Sequence, residues 1–158
     1  MGGSNRYPPR TPSMPRPRAY LVLGVLVAVL ATGFAPSSQA RGLRGRMLHS
    51  INRTRVNHDL PRLHLNVRLS HDAHRHSRRM ANRRAIFHTV DLARLVRRFG
   101  ATSWGENVAQ AGTVRRVKRS WMGSAPHRAN VLRSSYRRAG VGMVRARGWL
   151  WVTVMFYG

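Results

Sequence analysis

The chain reads as an α+β domain, with helices and a small antiparallel sheet sharing one core behind an N-terminal leader. Leu69, Ala73, His76 and Met80 recur at steps of four, three and four, the signature of one buried helix face. The C-terminal end changes period: Val141-Gly142-Met143-Val144 and Trp149-Leu150-Trp151-Val152-Thr153-Val154-Met155-Phe156 are β-branched and aromatic, as strands require. A hydrophobic content of 42% offsets the entropy of ordering a core even at a formal net charge of +25. A length of 158 residues suits one domain plus a leader.

The leader comes first. Residues 1–18 hold Arg6, Arg10, Arg16 and Arg18 with several prolines and no acid, and the apolar run 19–34 follows. In Ala35-Pro36-Ser37-Ser38-Gln39-Ala40, Ser38 and Ala40 supply the small residues a signal peptidase reads, so residues 1–40 are expected to be a signal peptide cleaved after Ala40. That makes residues 41–158 a secreted, extracellular domain of about +21, because the leader carries away four arginines and no acid. Met14 is an alternative start and exports the protein equally. An uncleaved membrane anchor is the competing reading, although the 16 apolar residues fall short of the about 17–25 of a span.

About four helices are expected after the leader. Leu48, Ile51 and Arg55, with Met47 beside them, predict the first over residues 45–58, stopped before Pro61; the stripe from Leu69 to Met80 predicts the second over 70–84. Leu92, Leu95, Val96 and Phe99 predict a third closed by Gly100, and Val114, Val117 and Trp121 a fourth after Thr113. Ser124 reads as the N-cap of a turn or short helix running to Leu132, with Pro126 tolerated in its first turn. The strands 141–144 and 149–156 form a hairpin across Arg147-Gly148, and residues 105–109 supply a third strand.

Composition excludes several functions. With no cysteine there is no disulfide framework, thiolate metal site or cysteine nucleophile. Twenty-eight arginines and one lysine face Asp59, Asp72, Asp91 and Glu106, a balance that attracts anionic surfaces, lipids or wall polymers. The scarcity of lysine points to a codon bias, so part of this charge is background. The arginines spread from Arg41 to Arg147 without a dominant block or an RRM-like, zinc-finger or P-loop pattern; no specific nucleic-acid partner is expected. A monomer is expected.

Glu106 is the only glutamate, set in Trp104-Gly105-Glu106-Asn107-Val108-Ala109. His88 precedes it, and Trp121-Met122-Gly123-Ser124-Ala125-Pro126-His127-Arg128-Ala129-Asn130 follows. Two imidazoles and a carboxylate suffice to ligate Zn²⁺ or a similar divalent ion with a position left open, and they suit a small anion without metal equally. Their spacings of 18 and 21 residues do not by themselves bring them together. Each has a structural alternative: Glu106 bonding the backbone of a neighbouring loop and pairing with an arginine, His127 filling a polar gap at a helix start, His88 following a helix end. Ser124 lacks a base and orienter in the sequence, which argues against a serine nucleophile. His71 and His74, flanked by Asp72 and Arg75, read as a solvated face, and Trp121, Trp149 and Trp151 as core or rim.

These residues resemble the CAP superfamily, also called the SCP domain, in its bacterial secreted branch. The match rests on Asn52 and Arg55, Met80-Ala81 followed by His88, Gly105-Glu106-Asn107-Val108-Ala109, Trp121 with Ser124, Pro126-His127-Arg128 and Asn130-Val131-Leu132, and Gly140-Val141-Gly142, covering essentially all of the mature chain. The resemblance implies an α-β-α sandwich and a cleft of His88, Glu106, Ser124 and His127, with His88, Glu106 and His127 as metal-binding and catalytic candidates. Ser124 stands where the fuller form of the family has a second glutamate. A divalent metal such as zinc is the cofactor implied. Lipid and sterol binding in some members implies the alternative, a cationic cell-surface protein whose His/Glu cluster is purely structural.

Overall fold

The structure, a computed structural model, describes residues 38–158; residues 1–37, with most of the expected leader, lie outside the described residues. Five helices, α1 (Ser38–Val56), α2 (Val67–Arg83), α3 (Leu92–Arg97), α4 (Val114–Gly123) and α5 (Ala125–Leu132), accompany four strands, β1 (His64–Leu65), β2 (Trp104–Ala111), β3 (Arg138–Ala146) and β4 (Trp149–Tyr157). The sheet order is β1-β3-β4-β2. β3, β4 and β2 are antiparallel neighbours, as expected.

Among the described residues the structure extends the expected pattern in two places. The sheet is mixed, because the two-residue β1 pairs in parallel with the start of β3, His64 opposite Arg138 and Leu65 opposite Ala139. A strand that short carries no periodicity. The helices number five, because the segment after Ser124 is a full helix separated from α4 by that one extended residue. The first helix also starts earlier than residue 45: Leu43 is buried in line with Met47 and Ile51, and that burial outweighs the poor helix propensity of Gly42 and Gly45.

Strand alternation divides the core into two layers. Leu150, Val152, Val154 and Phe156 of β4 pack with α1, α4 and α5 through Met47, Ile51, Val117, Trp121 and Val131. Met155 and Tyr157 face the opposite way and meet Leu69 and Ala73 of α2 and Val96 of α3, while Trp151 meets Met80. The result is helices on both faces of one sheet, the α-β-α sandwich implied above. α2 lies directly on β3: a Cβ on Gly140 would strike Leu69, and one on Gly142 would strike the main chain of Ala73 and His74. α2 starts at Asn66, whose side chain accepts from the Leu69 amide at 3.0 Å, and α4 starts at Thr113, which accepts from the Arg116 amide at 3.2 Å.

Arg55 ties the layer of α1, α4 and α5 together. Its fully buried guanidinium donates to the carbonyls of Pro61 at 3.0 Å, Val131 at 2.8 Å, Arg133 at 3.0 Å and Tyr136 at 3.2 Å, joining α1 to the end of α5 and the approach to β3. No carboxylate pairs with it among the described residues, so carbonyl dipoles alone replace its hydration. Burial and the nearby charge of Arg137 lower its affinity for the proton.

Candidate functional site

The site lies at the free edge of the sheet, where β2 runs between the two helix layers. Side chains of β2 alternate: Glu106 and Val108 turn toward α2, Asn107 and Ala109 toward α4 and α5. Gly105 admits this arrangement, because a side chain there would collide with Tyr136 and Asn130. Asn130 of α5 donates to the Glu106 carbonyl at 3.2 Å and to the Asn107 side chain at 2.9 Å, and Asn107 donates to the His127 carbonyl at 2.9 Å. The α5 helix is thus hydrogen-bonded onto the strand that carries Glu106.

Glu106 is almost wholly enclosed, and its carboxylate is committed to the α2–α3 loop. One oxygen accepts from His88 Nδ1 at 2.8 Å and from the Thr89 amide at 2.9 Å; the other accepts from the Thr89 hydroxyl at 2.6 Å. The bond to the loop backbone matches half of the structural alternative; no arginine pairs with Glu106 among the described residues, and one partner is the candidate histidine. The His88 ring itself remains 61% exposed, against 3% for the Glu106 side chain. A carboxylate only accepts, so Nδ1 is the donor of this pair and Nε2 is the ring nitrogen left over for a ligand.

His127 approaches from the other layer, in the first turn of α5. Its Nδ1 lies 2.9 Å from the Ser124 hydroxyl. Ser124 occupies the N-cap position, but its hydroxyl makes no bond to the helix amides, so its expected capping role gives way to contact with His127. Burial, and after it the nearby His88, lower the proton affinity of His127. No carboxylate bonds His127 among the described residues, so Ser124 and His127 lack the third member of a nucleophile–base–orienter set.

One member was missed by the sequence reading. His76 appeared only as a core-face position of α2; it is fully buried, with Nδ1 3.0 Å from the Thr153 hydroxyl and 4.0 Å from Glu106. Ser77 extends this network to Thr153 at 2.9 Å, and Phe87 packs edge-on against the His76 ring at 5.1 Å. Burial lowers the proton affinity of His76 more than Glu106 restores it, so the 4.0 Å approach is a contact of a neutral ring and not an ion pair. Among the described residues its Nε2 has no hydrogen-bond partner, although the nearby His88 main chain favours its protonated form. The available signal was a histidine at a position where the stripe calls for an apolar residue. His71 is exposed as expected, whereas His74 is half-buried with Nδ1 3.1 Å from the Met143 carbonyl.

The donor set fits a metal in a restricted way. Among the described residues no three histidine or carboxylate side chains stand together as a ready cage. Glu106 has three of its acceptor positions filled from within the loop, while His88 and His127 each commit Nδ1 and leave Nε2. Imidazoles held at Nδ1 by an oxygen are the form in which histidine ligates metals, with the carboxylate as the orienting partner.

Comparison with known proteins agrees with this architecture. The profile of the cysteine-rich secretory protein family, CAP, matches residues 48–156. No curated protein sequence matches the chain. Among solved structures, an extracellular protein containing an SCP domain from Bacillus anthracis superposes with a TM-score of 0.65 at 23% identity over 75% of this chain and 41% of that one. A cysteine-rich secretory protein from Staphylococcus aureus gives 0.62 at 24% identity over 77% and 40%. An outer surface protein from Borrelia burgdorferi gives 0.61 at 16% over 72% and 90%. The chain therefore spans about two-fifths of the length of the first two proteins, and likeness at these identities speaks to the fold alone. Without a single cysteine, this chain belongs to the cysteine-rich secretory protein, or CAP, family.

Proposed function

We propose that the protein is an exported, monomeric CAP-domain binding protein whose cleft at the β2 edge takes a divalent metal such as zinc, or a small ligand of similar demand, on the Nε2 atoms of His88 and His127. One observation carries this reading: an imidazole 61% exposed to solvent is nevertheless held at 2.8 Å by an almost fully buried carboxylate. A buried glutamate in a chain with four acids has arginines enough to pair with, yet it orients a surface histidine. Ordering an exposed ring in this way lowers the entropy lost when it takes a ligand. Export rests on the leader; among the described residues no helix is long and apolar enough to cross a membrane.

In this reading Glu106 acts through His88, Ser124 acts through His127, and Thr89 holds the loop on Glu106. A bound ion would supply an acidified water, which makes metal-assisted hydrolysis the one reaction class these residues would support. Binding alone accounts for the arrangement. Zinc titration by calorimetry on the purified protein tests it at neutral pH. Stoichiometric binding is expected, lost in both His88→Ala and His127→Ala and weakened about 10- to 100-fold in Glu106→Gln, the usual effect of removing an orienting partner. Absence of binding in the wild-type protein would overturn the proposal.

A further inference from the structure

Five of the arginines come together in space. Arg75, Arg79 and Arg83 stand at steps of four along one face of α2, and Arg94 of α3 and Arg98 at its C-cap stand at the same step. The two rows line one groove of about 890 Å³ between these helices, whose floor includes His76 and Phe87 and whose rim includes His88. Five arginines against Asp72 and Asp91 leave that groove at about +3 with its histidines neutral.

The groove is built, not merely basic. Asp72, buried at its end, bonds both Arg75 of one wall and Arg98 of the other and so clips α2 to α3. The Arg83 guanidinium lies over the Phe87 ring at 5.3 Å and that of Arg98 over Phe99 at 4.8 Å, which restricts their planes. Arg79 and Arg94 have no acid partner among the described residues. Like charges at a spacing of four destabilise a helix, and rows facing each other across a groove add to that repulsion. An anion between the walls removes it.

We infer that the groove between α2 and α3 binds a phosphate-bearing anion, its oxygens taken by the guanidinium forks of Arg79 and Arg94. The planar fork of arginine pairs with two oxygens at once, and three arginines spread over eight residues of α2 span about 12 Å, room for more than one phosphate group. The inference makes specific the cationic-surface alternative and stands whether or not the histidine cleft takes a metal.

The test must separate the groove from the charge of the whole chain. Tripolyphosphate and vesicles of phosphatidylglycerol in phosphatidylcholine are titrated into the wild-type protein, into Arg79→Gln/Arg94→Gln, and into Arg115→Gln/Arg119→Gln. The last pair is exposed at the same spacing on α4, outside the groove, and removes the same charge. The groove variant should lose at least tenfold in affinity and the control less than about twofold, with EDTA changing neither. Selective loss with tripolyphosphate identifies a soluble phosphate ligand, and selective loss with vesicles only identifies a lipid headgroup; either supports the inference. Equal loss in the two variants, or no binding of either probe, overturns it.

Discussion

Replacing Arg55 by methionine should be among the most damaging single changes in the domain. Methionine fills a similar volume but donates nothing to the four carbonyls that the guanidinium reaches. Those of Val131 and Tyr136 accept in buried bonds, those of Pro61 and Arg133 in partly buried ones that water can replace. Each buried acceptor left unpaired costs about 1–3 kcal/mol, so the gross loss is roughly 2–6 kcal/mol. Relief from burying an unpaired cation offsets part of this, and a net loss of about 2–4 kcal/mol is expected. A domain of this size holds on the order of 6–18 kcal/mol in total. In a urea titration with a slope of about 1–3 kcal/mol per molar, the midpoint should fall by roughly 1–3 M, and Arg55→Lys, with one forkless donor group, should fall between. A methionine variant within about 0.5 kcal/mol of wild type would refute the reasoning, because it would mean that these carbonyls are readily hydrated and α1 is not clamped to α5.

Three further outcomes follow from the same structure. Glu106→Gln replaces charge-assisted bonds worth about 1.5–3 kcal/mol, so the Thr89 amide should exchange with solvent about 10- to 100-fold faster while global melting changes little; unchanged exchange would remove Glu106 as the anchor of that loop. Burial lowers the His76 proton affinity below its ordinary 6.5, so the unfolded chain binds more protons, and the stability this histidine contributes is complete above about pH 6.5 and lost as pH falls below it, by up to about 1.4 kcal/mol per pH unit. His76→Gln should flatten that acid limb of a melting-temperature profile, and an unaltered limb would assign it to other groups. Gly142→Ala sets a Cβ against the Ala73 and His74 backbone and should cost about 1–3 kcal/mol, whereas Gly123→Ala, with open space around it, should be neutral or mildly stabilising; equal melting temperatures would show that α2 is not seated on β3 as described.

Local order was legible in the sequence because it depends on neighbours along the chain. The stripe Leu69–Ala73–Met80 places α2, Thr113 starts α4, and the β-branched and aromatic run from Trp149 onward gives β4 with its turn at Arg147-Gly148, where both residues take positive φ. His88, Glu106 and His127 were singled out by motif resemblance. Their placement along β2 was not legible, since it depends on which face of β2 Glu106 occupies, on the loop that carries His88 and on Asn130 docking α5 against that strand. Elements without periodicity, such as β1, and those overriding propensity, such as the first turns of α1, needed partners to become apparent.

The sequence by itself determined the α+β class, the order of most elements and the rarity of acids that singled out Glu106. The tertiary structure alone decided that His88 and His127 come from opposite layers to one sheet edge, that His76 is a buried neutral neighbour of Glu106, and that five scattered arginines form two facing rows. Periodicity records which side of an element is buried. Which elements face each other is settled by long-range packing, where Gly140 and Gly142 admit α2 onto the sheet and Asp72 joins α2 to α3.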